Sequence, residues 1–227
     1  MVRREYNIPN RDSYGFLLGI IICSEKEEKI MKNDKTMKVV FTGLFAALSY
    51  VVFTFLQIKI TLPGGDATSI HLGNAVCVLG ALILGGFYGG LGGALGMTIG
   101  DLFDPIYILY APKTFILKFC IGLITGFVAH RLGKINQQTE KSVILRWTIL
   151  AAASGLLFNV IFDPLVGYFY KLLILGKPAA ELVLAWNILS TSINAVTSTI
   201  VSVIVYMAMR PVLLRSGFVP MPGLKRN

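Results

Sequence analysis

Charge is the scarce ingredient of this sequence. Only 15% of its 227 residues are Asp, Glu, Lys or Arg, against 55% hydrophobic, where a soluble domain carries about 25% charge. Mean hydropathy is +0.70. Cysteine is sparse as well: Cys23, Cys77 and Cys120 make no CxxC pair, so neither a disulfide framework nor a zinc site is supported. No GxxxxGK[ST] occurs, so the chain has no phosphate loop of its own for ATP. HExxH and GxSxG are absent too, and the carboxylates are too scattered for an acid–base pair. These shortages argue against a soluble enzyme and a disordered chain, and no cofactor or metal site is expected.

What remains is a series of apolar runs. Residues 39–129 hold six charges, Lys59, Asp66, Asp101, Asp104, Lys113 and Lys118. A span needs about 20 apolar residues, and six are predicted, over residues 38–56, 72–88, 89–103, 114–132, 143–170 and 182–209. Lipid offers backbone groups no partner, and the runs lack the alternation of barrel strands, so each is read as a helix. The predicted fold is an all-α integral membrane protein, a six-helix transmembrane bundle.

Lysine and arginine set its orientation. One side collects eleven: Lys32, Lys35, Lys38, Arg131, Lys134, Lys141, Arg146, Arg210, Arg215, Lys225 and Arg226. The other collects four: Lys59, Lys113, Lys171 and Lys177. Both termini are therefore expected in the cytoplasm, with loops 57–71, 104–113 and 171–181 outside. The net charge of +9 then reports topology, and no nucleic acid is expected as a partner. Residues 1–36 form a separate extension, 37–213 the membrane domain and 214–227 a cytoplasmic tail. In the extension, Arg3, Arg4 and Arg11 precede an apolar run of half a span, as in a signal peptide. Glu25-Lys26-Glu27-Glu28 needs purine-only codons, as a ribosome-binding sequence would, which points to a natural start near Met31.

Ten glycines lie between Gly73 and Gly100. In lipid, small residues four apart let helices pack closely, so the second and third spans should be tightly joined. Gly43 and Ala47, with Ala46 beside them, form a similar small face on the first span, suited to docking another helix of this chain or a partner. Intramembrane charges cost at least about 2.5–3.5 kcal/mol and tend to line a cavity or pair. Asp101, Lys118 and Asp163 are in that position, and Asp101 and Lys118 flank one outer loop, close enough in sequence to pair. His71 and Asn74 open the second span. Asn159 precedes Asp163 by one helical turn, on the same face. Asn187, Ser190 and Asn194 form a polar stripe at helical spacing, with Trp186 and the loop residues Tyr107 and Tyr110 able to stack on a flat ring. Pro63, Gly64 and Gly65 give the loop 57–71 a hinge.

The stretch Ile70-His71-Leu72-Gly73-Asn74-Ala75-Val76, then Leu79-Gly80-Ala81-Leu82-Ile83-Leu84-Gly85 and Gly89-Gly90-Leu91-Gly92-Gly93-Ala94-Leu95-Gly96, resembles the substrate-binding (S) components of energy-coupling factor (ECF) vitamin transporters. Gly100-Asp101-Leu102, Ala111-Pro112-Lys113-Thr114 and Gly122-Leu123-Ile124-Thr125-Gly126 continue the likeness. The similarity spans residues 37–209 and is strongest in spans two to four, nearest the riboflavin-type and hydroxymethylpyrimidine/pyridoxine-type members. It implies a bacterial plasma-membrane subunit that binds a vitamin or precursor from outside. It also implies partners: a transmembrane coupling subunit and two cytoplasmic ATPases, docked through Gly43, Ala46 and Ala47, where the family's usual Ala-xxx-Ala begins with glycine. Ligand contacts implied by position are His71, Asn74, Asp101, Lys118, Asn159, Asp163, Trp186, Asn187 and Asn194, under the loop 57–71. A self-contained proton-coupled transporter and a small membrane enzyme are the competing readings.

Overall fold

A computed structural model describes residues 35–62, 66–176 and 181–216. The N-terminal extension up to residue 34, the Pro63-Gly64-Gly65 hinge and residues 217–227 of the tail lie outside the described residues. By its internal contacts the chain divides into Met1–Val40 and Phe41–Asn227. The geometry that follows belongs to the second unit.

Helix α1 (Lys35–Phe55) begins in the first unit and continues in the second. An antiparallel hairpin follows, β1 (Gln57–Leu62) with β2 (Asp66–His71), in register Gln57↔His71 and Lys59↔Ser69. Then come α2 (Gly73–Leu84), α3 (Gly86–Leu102) and a single 3₁₀ turn (Ile108–Tyr110). Helix α4 (Ala111–Gly126) ends in a π-helical turn (Phe127–Leu132), and α5 (Lys141–Phe169) ends in another (Tyr170–Ile174). The last element is α6 (Glu181–Arg215).

Among the described residues, four helical segments are long and apolar enough to cross a membrane: Lys35–Phe55, Ile108–Leu132, Lys141–Ile174 and Val183–Arg215. Their large apolar side chains face outward, among them Leu44, Ile116, Leu157, Val196 and Ile204. A water-soluble monomer rarely leaves so much of this surface uncovered. Helices α2 and α3 have 12 and 17 residues, about 18 and 25 Å at 1.5 Å per residue, short of a hydrocarbon core of about 30 Å. All of α2 is buried.

The sequence places the boundary between the second and third helices after residue 88; the structure places it at Gly85. There φ is +89°, a conformation open to glycine and strained for other residues. Helix α3 is the closely packed element. A Cβ added at Gly89 would lie 2.0 Å from the carbonyl carbon of Gly80 in α2, and one at Gly93 would lie 2.5 Å from Cys77 Cβ. One at Gly122 of α4 would lie 2.1 Å from Gly90 Cα, and one at Gly96 2.2 Å from the Ala46 carbonyl oxygen of α1. The glycines thus join α3 to three neighbours, where the sequence reading anticipates one.

Thr42, Phe45, Ser49 and Phe53 are the buried face of α1, spaced by three or four residues as one helix face requires. The Ser49 hydroxyl donates to the Gly93 carbonyl at 3.1 Å. Gly43 and Ala47 are exposed, with open space where a Cβ on Gly43 would sit. Ala46 is half-buried and turned toward α3.

The loop expected at 57–71 is instead a strand pair. Ile58, Ile60 and Leu62 alternate with Lys59 and Thr61, the period of two that a strand needs. At the other end of α6 the buried Arg210 guanidinium donates to Tyr206 Oη at 3.0 Å and to the carbonyls of Ile135 and Gln138 at 2.9 and 3.2 Å. It thereby ties α6 to the α4–α5 connection.

Candidate functional site

The hairpin is fastened on both sides. On α6, Asn194 accepts from the His71 backbone N–H through Oδ1 at 2.9 Å and donates through Nδ2 to the Ser69 carbonyl, also at 2.9 Å. The Thr68 and Ser190 hydroxyls share a hydrogen bond of 2.6 Å. On the other side the Lys59 ammonium pairs with the Asp104 carboxylate and lies 5.7 Å from the centre of the Tyr107 ring. Burial raises the pKa of Asp104, but hydrogen bonds from Lys59 and from the Ile106 and Tyr107 backbones, with the Lys59 charge, outweigh it and hold the carboxyl below its usual range.

Beneath the hairpin lies a cavity of about 110 Å³. Its wall takes Phe53 from α1, His71 from β2, Asn74 from the start of α2 and Asp101 from the end of α3. Tyr107 and Tyr110 also line it, with Lys113, Thr114 and Lys118 of α4. Asn159, Asp163 and Lys171 come from α5 and its π turn, and Asn187, Ser190, Thr191 and Asn194 from α6. Three ammonium groups (Lys113, Lys118, Lys171) meet two carboxylates (Asp101, Asp163), a formal excess of one positive charge.

Asp163 is the electrostatic centre. Its Oδ1 accepts from Lys113, and its Oδ2 from Lys118 at 3.2 Å. Lys118 also donates to Asn159 Oδ1 at 3.0 Å. The four-residue spacing of Asn159 and Asp163 therefore brings both to one ammonium, as their shared helix face requires. An ammonium can only donate, so this contact fixes which end of the Asn159 amide carries oxygen. Asn159 Nδ2, Asn74 Oδ1 and His71 Nδ1 are buried and have no hydrogen-bond partner among the described residues. His71 touches Phe53 edge-on, ring centres 4.8 Å apart. Burial, and then the Lys118 charge, lower its pKa to about 3 against the opposing pull of Asp163, so the imidazole is neutral near pH 7.

Eight of the nine side chains picked from the sequence line this one cavity: His71, Asn74, Asp101, Lys118, Asn159, Asp163, Asn187 and Asn194. Trp186 does not line it, being one position off the face that carries Asn187. Nor do Asp101 and Lys118 form the ion pair that their flanking positions suggest. Lys118 pairs with Asp163, which enters from α5 and takes both lysines of α4. Lys113 and Lys171 enter the sequence reading only as charges at span ends, yet both turn into the cavity. A lysine stem is long enough to carry its charge well away from its backbone position. The Lys171 ammonium lies 5.7 Å from the centre of the Tyr110 ring.

Comparison with known proteins agrees with this architecture. The family model described as "ECF-type riboflavin transporter, S component" matches residues 33–211. Two UPF0397 proteins of Lactococcus lactis subsp. cremoris, from strains NZ9000 and MG1363, are each 27% identical over 190 residues, covering 82% of this chain and 97% of theirs. No solved structure matches the chain.

Proposed function

The chain belongs to the ECF-type riboflavin transporter S component family, and from that premise we propose that it is the substrate-capture subunit of an ATP-driven vitamin importer. The family is one of transporter components, not of enzymes. The ligand is a small vitamin or precursor of the hydroxymethylpyrimidine, pyridoxine or riboflavin class, bound from outside a bacterial plasma membrane. Six helices span or enter the bilayer, both termini are cytoplasmic, and the hairpin covers the outer end. ATP is hydrolysed by two cytoplasmic ATPases through a transmembrane coupling subunit, which docks on the exposed Gly43 and Ala47.

The observation that supports this reading is the cavity: polar side chains from five helices, α2 to α6, and the hairpin converge inside an otherwise apolar bundle. Burying polar groups in this way is costly unless a partner compensates, and a polar ligand is such a partner. Mass spectrometry of small molecules retained by the purified protein tests the reading. A bound vitamin-class heterocycle is expected. Concentrative uptake by vesicles containing this chain alone would overturn it and favour a proton-coupled carrier.

A further inference from the structure

The connection from α3 to α4 has the wrong surface for a loop in water. From Leu102 to Pro112 the one charged residue is Asp104, and Lys59 pairs with it, leaving that carboxylate side chain 12% exposed. Around it the apolar side chains stand open: Phe103 is 76% exposed, Ile106 38% and Leu109 52%. An exposed apolar patch of this kind marks an interaction surface.

The segment has two faces. Phe103, Ile106 and Leu109 recur every third residue, and so do Tyr107 and Tyr110, which line the cavity. Three residues per turn is the period of the 3₁₀ turn that closes the segment. One face is therefore a wall of the site, and the other is apolar and turned away from it.

The backbone is prepared for lipid. The amides of Asp104, Tyr107, Ile108 and Tyr110 donate to the carbonyls of Asp101, Asp104, Asp104 and Tyr107 at 2.7 to 3.1 Å. The Ile106 amide donates to Asp104 Oδ1 at 3.0 Å, Pro105 has no N–H, and the Leu109 carbonyl accepts from Tyr170 Oη at 2.8 Å. Water would satisfy these groups unaided, whereas lipid requires that the chain do so itself.

The neighbours name the occupant. The Phe103 ring meets Tyr50 of α1 edge-on, centres 6.4 Å apart, so the patch adjoins a helix long and apolar enough to span a bilayer. Phe87 near the other end of α3 is also exposed. From Phe87 to Phe103 the helix rises about 24 Å, which a hydrocarbon core of about 30 Å contains at both ends.

We infer that residues 103–110 rest in the bilayer, with Phe103, Ile106 and Leu109 among the acyl chains just beneath the headgroups on the hairpin's side, so that lipid backs the cavity wall made by Tyr107 and Tyr110. The inference goes beyond vitamin capture and needs only a membrane-embedded chain.

Tryptophan substitution tests it, with the full chain in phosphatidylcholine vesicles brominated either near the glycerol end or near the methyl end of the acyl chains. Emission is read as the difference from the unaltered protein, which keeps Trp147 and Trp186. Phe103→Trp and Leu109→Trp should each lose most of their added emission to the shallow bromine, less to the deep one, and little to acrylamide in the water. Leu157→Trp, exposed near the middle of α5, is the control and should be quenched most by the deep bromine. Quenching of either test position by acrylamide and by neither bromine, with the control quenched by lipid, overturns the inference and leaves vitamin capture standing. Quenching by none of the three overturns it as well, because a second copy of the chain then covers the face. A control quenched from water alone overturns the membrane reading with it. The two positions are read separately, so a variant that does not fold leaves the other to decide.

Discussion

Asn194 of α6 holds β2 at two backbone points: its side-chain oxygen accepts from the His71 N–H and its side-chain nitrogen donates to the Ser69 carbonyl, both at 2.9 Å. One amide thus fixes the hairpin over the cavity. Asn194→Ala removes both bonds and strands a buried N–H, at a cost of about 1–3 kcal/mol. We expect ligand release to quicken by roughly tenfold or more, the hairpin to become sensitive to limited proteolysis, and the thermal midpoint to fall by about 2–4 °C per kcal/mol lost. Stopped-flow release measures the first.

On the opposite side the latch is Lys59 with Asp104. Lys59 is 40% exposed, so the pair contributes at most about 1 kcal/mol and is screened by salt. Lys59→Gln should speed release modestly and abolish most of its dependence on ionic strength. The folded pKa of Asp104 is depressed, so its contribution is present above the unfolded value near 3.9 and disappears only as pH falls through the lower folded one. Release rates of the unaltered protein should therefore show no contribution from this pair between pH 8 and pH 5.

Lys118→Ala should lower affinity for the retained heterocycle by roughly tenfold or more, since hydrogen bonds to charged groups contribute about 1.5–3 kcal/mol. It frees the Asn159 amide to rotate and leaves Asp163 with Lys113 alone. Titration calorimetry, with membrane insertion as the control, reads the effect. Unchanged affinity would remove Lys118 from the site.

The His71 imidazole has a folded pKa of about 3, below its unfolded value of about 6.5. The folded state excludes its proton, so stability is full above the unfolded value and falls as pH drops below it, by about 1.4 kcal/mol per unit until the folded value is reached. Imidazole NMR signals should show no titration between pH 8 and pH 5. A midpoint within that window would contradict the buried, neutral ring.

Small residues should split into two kinds. Gly89→Val places a branched side chain against the Gly80 backbone, where even a Cβ would lie at 2.0 Å. We expect loss of folded protein in size-exclusion profiles. Gly43→Leu with Ala47→Leu adds bulk to an exposed face and should leave folding and ligand binding intact while uptake with the ATPase partners is lost. Normal co-purification with the coupling subunit would contradict docking at this face.

Much of this arrangement is legible in the chain, but only where the signal is local. Charge-poor runs place the long helices, and the spacing of Asn159 with Asp163, and of Asn187 with Ser190 and Asn194, places polar residues on common faces. Pairing across the bundle is not local. Asp101 stands nearer Lys118 in sequence, while its partner Asp163 lies 45 residues away. The hairpin is hidden differently: the alternation through Ile58, Lys59, Ile60 and Thr61 is short and sits between two apolar runs that dominate the pattern. The break at Gly85 is one glycine among several, and only its backbone conformation separates it from its neighbours.

Helix α2 has a consequence of its own. Its twelve residues are jacketed by the other helices, so the bilayer makes no demand on how far it extends. Asn74 stands in its first turn, three residues after the end of the hairpin. One residue inserted further along the helix would therefore shift Asn74 by about 1.5 Å and turn it by about 100° relative to the far end, so the length of this inner helix sets the aim of its polar residue and not the thickness spanned.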